Sequence, residues 1–132
     1  VYRILKNEKI LSRKNKYKIG IFGLTYKENT SSIKNSPSIY LLNKLKNIET
    51  RIYDPVAKLE KKMKNCLQVN SMKYLIKSSN VFILMTPWRH FKKINSILKI
   101  KKNKRIFVID PYRLINFNII QNKYIKYFTI GK

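Results

Sequence analysis

Residues 20–45 read GIFGLTYKENTSSIKNSPSIYLLNKL, and the types suited to chemistry are crowded there. An apolar run ends at Gly23, Lys27 follows four residues later, and Ser36-Pro37 opens a segment with helical apolar spacing. The chemistry this arrangement could do is anion capture. Gly23 permits backbone geometry that other residues resist. Ser36 is a good N-cap and Pro37 suits the first helical position. A helix start offers free N–H groups and a partial positive charge, worth about 1 kcal/mol to a well-placed anion. Together with the Lys27 ammonium it makes an anion pocket. It is not the dinucleotide fingerprint, because GIFG is G-x-x-G and the G-x-G-x-x-G spacing is absent. From pattern alone the reading stops at an α/β domain with a possible nucleotide site.

Such a pocket needs a strand before it and a helix after it, and the chain supplies both. Residues 17–23 read as the first strand and 36–47 as a helix, with Ile39, Leu42 and Leu45 near one face. Further strands are expected at 50–54, 66–70, 81–86, 105–110 and 124–131, and helices at 57–65, 72–79 and 90–99. Residues 1–13 have helical spacing, 13–18 form an exposed link, and the basic run 99–104 reads as a solvated turn. Strands alternating with helices argue a parallel α/β sheet. In such sheets ligands sit beyond the carboxyl ends of the strands. Asp54, Thr86 and Asp110 end three other strands and should meet Gly23 at that edge. Asp54-Pro55 reads more simply as a strand-stopping turn, and Trp88 and Phe91 as packing residues. His90 is given no chemistry.

The whole chain sets the bounds. Its 132 residues make one domain, and 44% of them are hydrophobic, enough for a real core. No apolar run approaches the roughly 18 residues a membrane helix needs, and the first residues are too charged for a secretory signal. The single cysteine, Cys66, excludes a disulfide framework and a Cys-based zinc site; it reads as a half-buried thiol in a reducing cytoplasm. The chain begins with Val, which reads as a piece of a longer protein. A formal charge of +24 attracts polyanions, so a nucleic-acid-binding module is a rival reading. The basic residues are spread throughout, however, and Lys, Ile and Asn together make 58 of the 132 residues. That bias needs no partner to explain it, and no zinc-finger spacing or RNP-type aromatic motif supports a nucleic acid.

At GLTYKENTSSIKNSP the chain resembles the UDP-glucose/GDP-mannose dehydrogenase family, specifically its C-terminal UDP-sugar-binding domain. Gly23, Leu24, Thr25, Tyr26, Lys27, Asn29, Thr30, Ser36 and Pro37 match the pattern Gly-Leu-(Ala/Thr)-(Phe/Tyr)-Lys-x-(Asn/Asp)-Thr-(Asp/Ser)-Asp-x-Arg-x-Ser-Pro. RIYDPVA (51–57), VFILMTPWRHF (81–91), FVIDPYRLI (107–115) and YFTIGK (127–132) resemble further family segments in the same order. The resemblance covers roughly residues 17–132. It implies a Rossmann-like three-layer domain at 14–132, with residues 1–13 as the end of a central linking helix.

Enzymes of the family oxidise a sugar C6 alcohol to a carboxylate in two NAD-dependent steps. The resemblance implies an N-terminal NAD-binding domain and a central dimerisation segment as partners, a UDP-sugar as substrate, a homodimer and a cytoplasmic setting, with no membrane. NAD would be bound mainly by the N-terminal domain. No catalytic residue falls in this chain, and Cys66 is not at the catalytic position. Tyr26 and Lys27 match the aromatic and the lysine beside the substrate. A flat aromatic can cover a sugar or base face, and an ammonium can meet diphosphate oxygens. Lys34 stands where the family usually has a cofactor-facing Arg, keeping the charge without the bidentate fork. Ser32 replaces an Asp and Pro87 a Glu. In DPYR the family's substrate arginine aligns with Tyr112, and Pro111 is expected to re-aim the turn so that Arg113 serves. A degenerate remnant that folds but binds nothing is the other rival.

Overall fold

Four-residue apolar runs become the centre of the molecule. In the computed structural model, residues 1–12, 17–25, 27, 29–34, 36–98 and 105–129 are described. Among the described residues six strands form one sheet: β1 (Ile19–Phe22), β2 (Thr50–Tyr53), β3 (Cys66–Gln68), β4 (Val81–Leu84), β5 (Ile106–Ile109) and β6 (Ile125–Phe128). Their order is β3-β2-β1-β4-β5-β6 and every pairing is parallel. Ile19 pairs with Thr50 on one side and Val81 on the other. The fold is therefore α/β and Rossmann-like, wound outward in both directions from β1 and β4.

The sheet is covered on both faces, so β1, β4 and β5 are buried at every position. Alternation sends Ile19, Ile21, Ile52, Val81 and Ile83 to one face, where they pack against α1 (Tyr2–Asn7) and α2 (Pro37–Lys44). Phe22, Phe82, Leu84 and Val108 face the other way. They meet α3 (Met72–Lys77), a 3₁₀ turn (Arg89–Lys93) running into α4 (Ile94–Leu98), and α5 (Phe117–Ile120). α1 is part of this packing: Leu5 is buried, Lys44 Nζ lies 4.8 Å from the Tyr2 ring centroid, and Glu8 accepts from Lys126 Nζ at 2.5 Å. No described helix is long and apolar enough to cross a membrane.

The helix expected at 57–65 does not form. Asp54 Oδ1 accepts from Val56 N–H at 2.9 Å and Ala57 N–H at 2.7 Å. Gln68 then holds Leu59 N–H with Oε1 and Ala57 C=O with Nε2, both at 2.8 Å. In a helix Ala57 C=O would accept from Lys61 N–H; Gln68 Nε2 takes that carbonyl instead, and the β2–β3 crossover is irregular. The expected helix at 90–99 begins as the 3₁₀ turn, and α5 is an element that no sequence pattern marks. Residues 13–16 of the expected link, the basic run at 99–104, residues 130–132 and Tyr26 lie outside the described residues.

Candidate binding cleft

The loop after β1 is fastened from within by hydroxyls. Gly23 N–H donates to Tyr53 C=O at 2.8 Å, and Leu24 N–H to Asp54 Oδ2 at 2.8 Å. Going the other way, Ser38 Oγ donates to Gly23 C=O at 2.5 Å and Ser36 Oγ donates to Leu24 C=O. Thr86 Oγ1 donates to Thr25 C=O at 2.8 Å, and Thr25 Oγ1 to Lys27 C=O at 2.7 Å. Ser36 is also the N-cap of α2, accepting from Ser38 N–H at 3.1 Å, with Pro37 at the first turn as expected. Gly23 has φ +108°, and a Cβ there would lie 2.3 Å from Thr86 Oγ1. The backbone polar groups of this corner thus face the protein, and Lys27 and Lys34 are left exposed.

The strand-end carboxylates are anchors rather than ligand-facing groups. Asp54 holds three backbone N–H groups and is buried. Asp110, fully buried, accepts from Ile115 N–H and Tyr127 O–H, each at 2.9 Å. Burial first, then the hydrogen bond and charge of Asp110, push the Tyr127 phenol up to about 12, while the Arg113 charge opposes them. Arg113 itself is exposed, with φ +56°. Tyr112 O–H donates to Met85 C=O at 3.1 Å, tying the loop after β5 to the end of β4. Because β1, β4 and β5 are parallel neighbours, the loops carrying Lys27 and Arg113 leave the sheet at the strands' carboxyl ends, and Lys34 lies further along the loop between β1 and α2.

Between these loops lies a cavity of about 540 Å³, lined by Asn29, Pro87, Trp88, Arg89, His90, Lys92 and Leu114. It opens where the order reverses between β1 and β4, the usual ligand position in such sheets. Its floor is set by packing: Trp88 and Phe91 are buried, as expected, and Phe91 packs edge-on against Phe22 at 5.6 Å. His90 stacks on Tyr53, and its Nε2 lies 3.2 Å from the Tyr53 hydroxyl. Burial and then the Lys93 charge lower the His90 pKa; burial and then Asp54 raise that of Tyr53. Sequence reasoning singled out neither Arg89 nor Lys92; their signal was position, directly after a strand end at the ligand edge. A concavity of about 480 Å³ along Glu49–Arg51 and Lys62–Leu67 lies at the opposite rim and carries a carboxylate in its wall. Cys66 is on that far rim too, its thiol pushed up to about 11 by burial. Among the described residues no cluster of three or more His, Cys, Asp or Glu could hold a metal.

Residues 20–116 match the UDP binding domain of the UDP-glucose/GDP-mannose dehydrogenase family. The chain is 28% identical over 119 residues to a UDP-glucose 6-dehydrogenase of Rickettsia prowazekii, covering 86% of this chain and 27% of that one. It is 31% identical over 123 residues to a UDP-N-acetyl-D-mannosamine dehydrogenase of Methanococcus vannielii, covering 88% and 27% respectively. The solved UDP-D-ManNAc dehydrogenase of Pyrococcus horikoshii shares the fold, with a TM-score of 0.70 at 22% identity over 98% of this chain and 28% of that one. The chain thus spans just over a quarter of the length of the curated relatives it matches. With the matched region running from β1 through the loop after β5, the chain belongs to the UDP-glucose/GDP-mannose dehydrogenase family and carries its UDP binding domain.

Proposed function

We propose that this chain seats the UDP moiety of a UDP-sugar for an NAD-dependent 6-dehydrogenase that oxidises the sugar C6 alcohol to a carboxylate. The observation that carries the reading is the meeting of the loops after β1, β4 and β5 on one cationic cleft at the switch point. Lys27 and Arg113 flank that cleft in sequence, two residues before Asn29 and one before Leu114. In this reading Lys27 and Arg113 meet the diphosphate and Tyr26 covers the base or sugar. Residues 14–132 form the nucleotide-binding unit and 1–13 end the helix leading in from a central dimerisation segment, within a cytoplasmic homodimer.

The chain does not fit NAD as a resident of its own first loop. A dinucleotide loop leaves backbone N–H groups free for the pyrophosphate, through glycines that let it approach. Here Leu24 N–H is taken by Asp54, and buried Thr25 stands where the second glycine of that fingerprint, counted from Gly23, would fall. We therefore assign the cofactor mainly to an N-terminal domain, with exposed Lys34 offering one charge toward it.

Calorimetric titration at moderate salt with UDP, UDP-glucose and GDP-mannose tests the reading. Saturable binding of UDP and UDP-glucose is expected, weakened about tenfold by Lys27→Ala, the size of one lost charge-assisted contact. An equal response to any polyanion of the same charge would instead make the net charge of +24 the operative feature.

A further inference from the structure

We propose that Arg89 and Lys92 grip the diphosphate from the β4 side, making the 3₁₀ turn a third cationic wall of the cleft; the inference rests on the UDP-binding reading above. The turn spans Arg89–Lys93, and a 3₁₀ helix has three residues per turn, so side chains three apart eclipse. Arg89 and Lys92 therefore project from one side, and both line the cavity. A different side of the turn is committed to the core through Phe91, and Ile94 at the start of α4 continues it, both fully buried. An ordinary α-helical turn would offset the two cations around the axis. The 3₁₀ geometry aligns them instead.

The turn is held in place. Tyr53, at the end of β2, stacks on His90 and hydrogen-bonds it at 3.2 Å, and Phe91 N–H donates to Trp88 C=O at 3.0 Å. Asn29 and Leu114 line the same cavity, so the cations share it with the two loops that carry Lys27 and Arg113. Among the described residues no carboxylate lines it. Trp88, Pro87 and Leu114 supply apolar wall, which lowers the local dielectric and strengthens charge contacts. Arginine brings a planar fork that fits two phosphate oxygens at once, and lysine a compact charge. The turn after β4 thus brings a bidentate donor to the cleft.

The test is calorimetric titration of UDP into the chain and into three variants at one moderate salt concentration. Arg89→Ala/Lys92→Ala removes the two proposed contacts, and Lys27→Ala removes the lysine of the β1 loop. Lys62→Ala/Lys64→Ala removes equal charge from the concavity at the opposite rim. Arg89 and Lys92 are exposed, so their truncation leaves the core intact, checked by an unchanged unfolding midpoint. Expected is a loss of about tenfold or more for Arg89→Ala/Lys92→Ala, with Lys62→Ala/Lys64→Ala within about twofold of the unaltered chain. If Arg89→Ala/Lys92→Ala binds like the unaltered chain while Lys27→Ala does not, the inference is overturned and the UDP reading stands. Equal weakening by both double variants makes the effect one of net charge and also overturns it. Absence of saturable UDP binding by the unaltered chain overturns the reading and the inference together.

Discussion

Gly23 carries the geometry of the β1 corner under two independent constraints. Its φ of +108° belongs to the region that side chains resist, and Thr86 leaves no room for a Cβ, its backbone N standing 2.9 Å away. Thr86 cannot retreat freely, because its hydroxyl holds Thr25 C=O. Gly23→Ala is therefore expected to cost about 3 kcal/mol, from backbone strain plus the strained or lost hydrogen bond. Urea unfolding reads this as a lower midpoint at unchanged slope. Gly23→Ala/Thr86→Ala should lose less than the sum of the single changes, since the two groups share one contact; strict additivity would rule out the clash. Gly23 and the Ser36-Pro37 start were legible in the sequence because their rules are local. Asp54 and Asp110 were legible as strand ends but not in their direction, which depends on N–H groups brought up by the fold. Arg89 and Lys92 had only their place after a strand end to mark them, which is too little to single them out. Among 30 basic residues, two more do not stand out until the turn that aligns them is known.

At the scale of elements, the β2–β3 crossover shows how tertiary bonding overrides local propensity. Residues 57–65, AKLEKKMKN, are strong helix formers, and propensity expects a helix there. The structure gives instead an irregular span whose first residues are fastened by both Asp54 and Gln68. Gln68 lies on β3, so the partner that fixes Leu59 is nine residues away and invisible to any local pattern. Gln68→Leu keeps the volume and removes both bonds, leaving a carbonyl and an N–H without their partner. The expected loss is about 2 kcal/mol, with amide exchange at Leu59 accelerating more than at β1 or β4. Uniform acceleration across the sheet would mean that the crossover is not separately fastened. The strands themselves were legible to within two or three residues, since short buried apolar runs bounded by polar residues leave few alternatives. α5 was not, because four residues carry too little periodicity to read.

For the molecule as a whole, the ordered motifs made the family legible, while the charge pointed to no particular partner. Thirty cationic residues face six acidic ones, and two of the six, Asp54 and Asp110, are buried on hydrogen-bond donors within the loops. Ion pairs among the described residues include Glu49 with Lys18 and Arg51, and Glu8 with Lys126. With six acidic residues against thirty basic ones, repulsion is general. Repulsion between exposed charges is screened over about 10 Å at 0.1 M salt, while the unfolded chain, being expanded, feels it less. Added sodium chloride is therefore expected to raise the thermal midpoint of this chain, the opposite of what a fold held by surface ion pairs would do. The chloride salt is the right probe, since sulfate strengthens burial of apolar surface in its own right and phosphate would compete for the cleft. UDP should raise the midpoint as well, by mass action on the folded state, and its increment should shrink as the salt increment grows. A midpoint that falls with sodium chloride would mean that the few ion pairs outweigh the excess positive charge. The cationic rim would then owe its affinity for anions to local geometry rather than to the field of the whole domain.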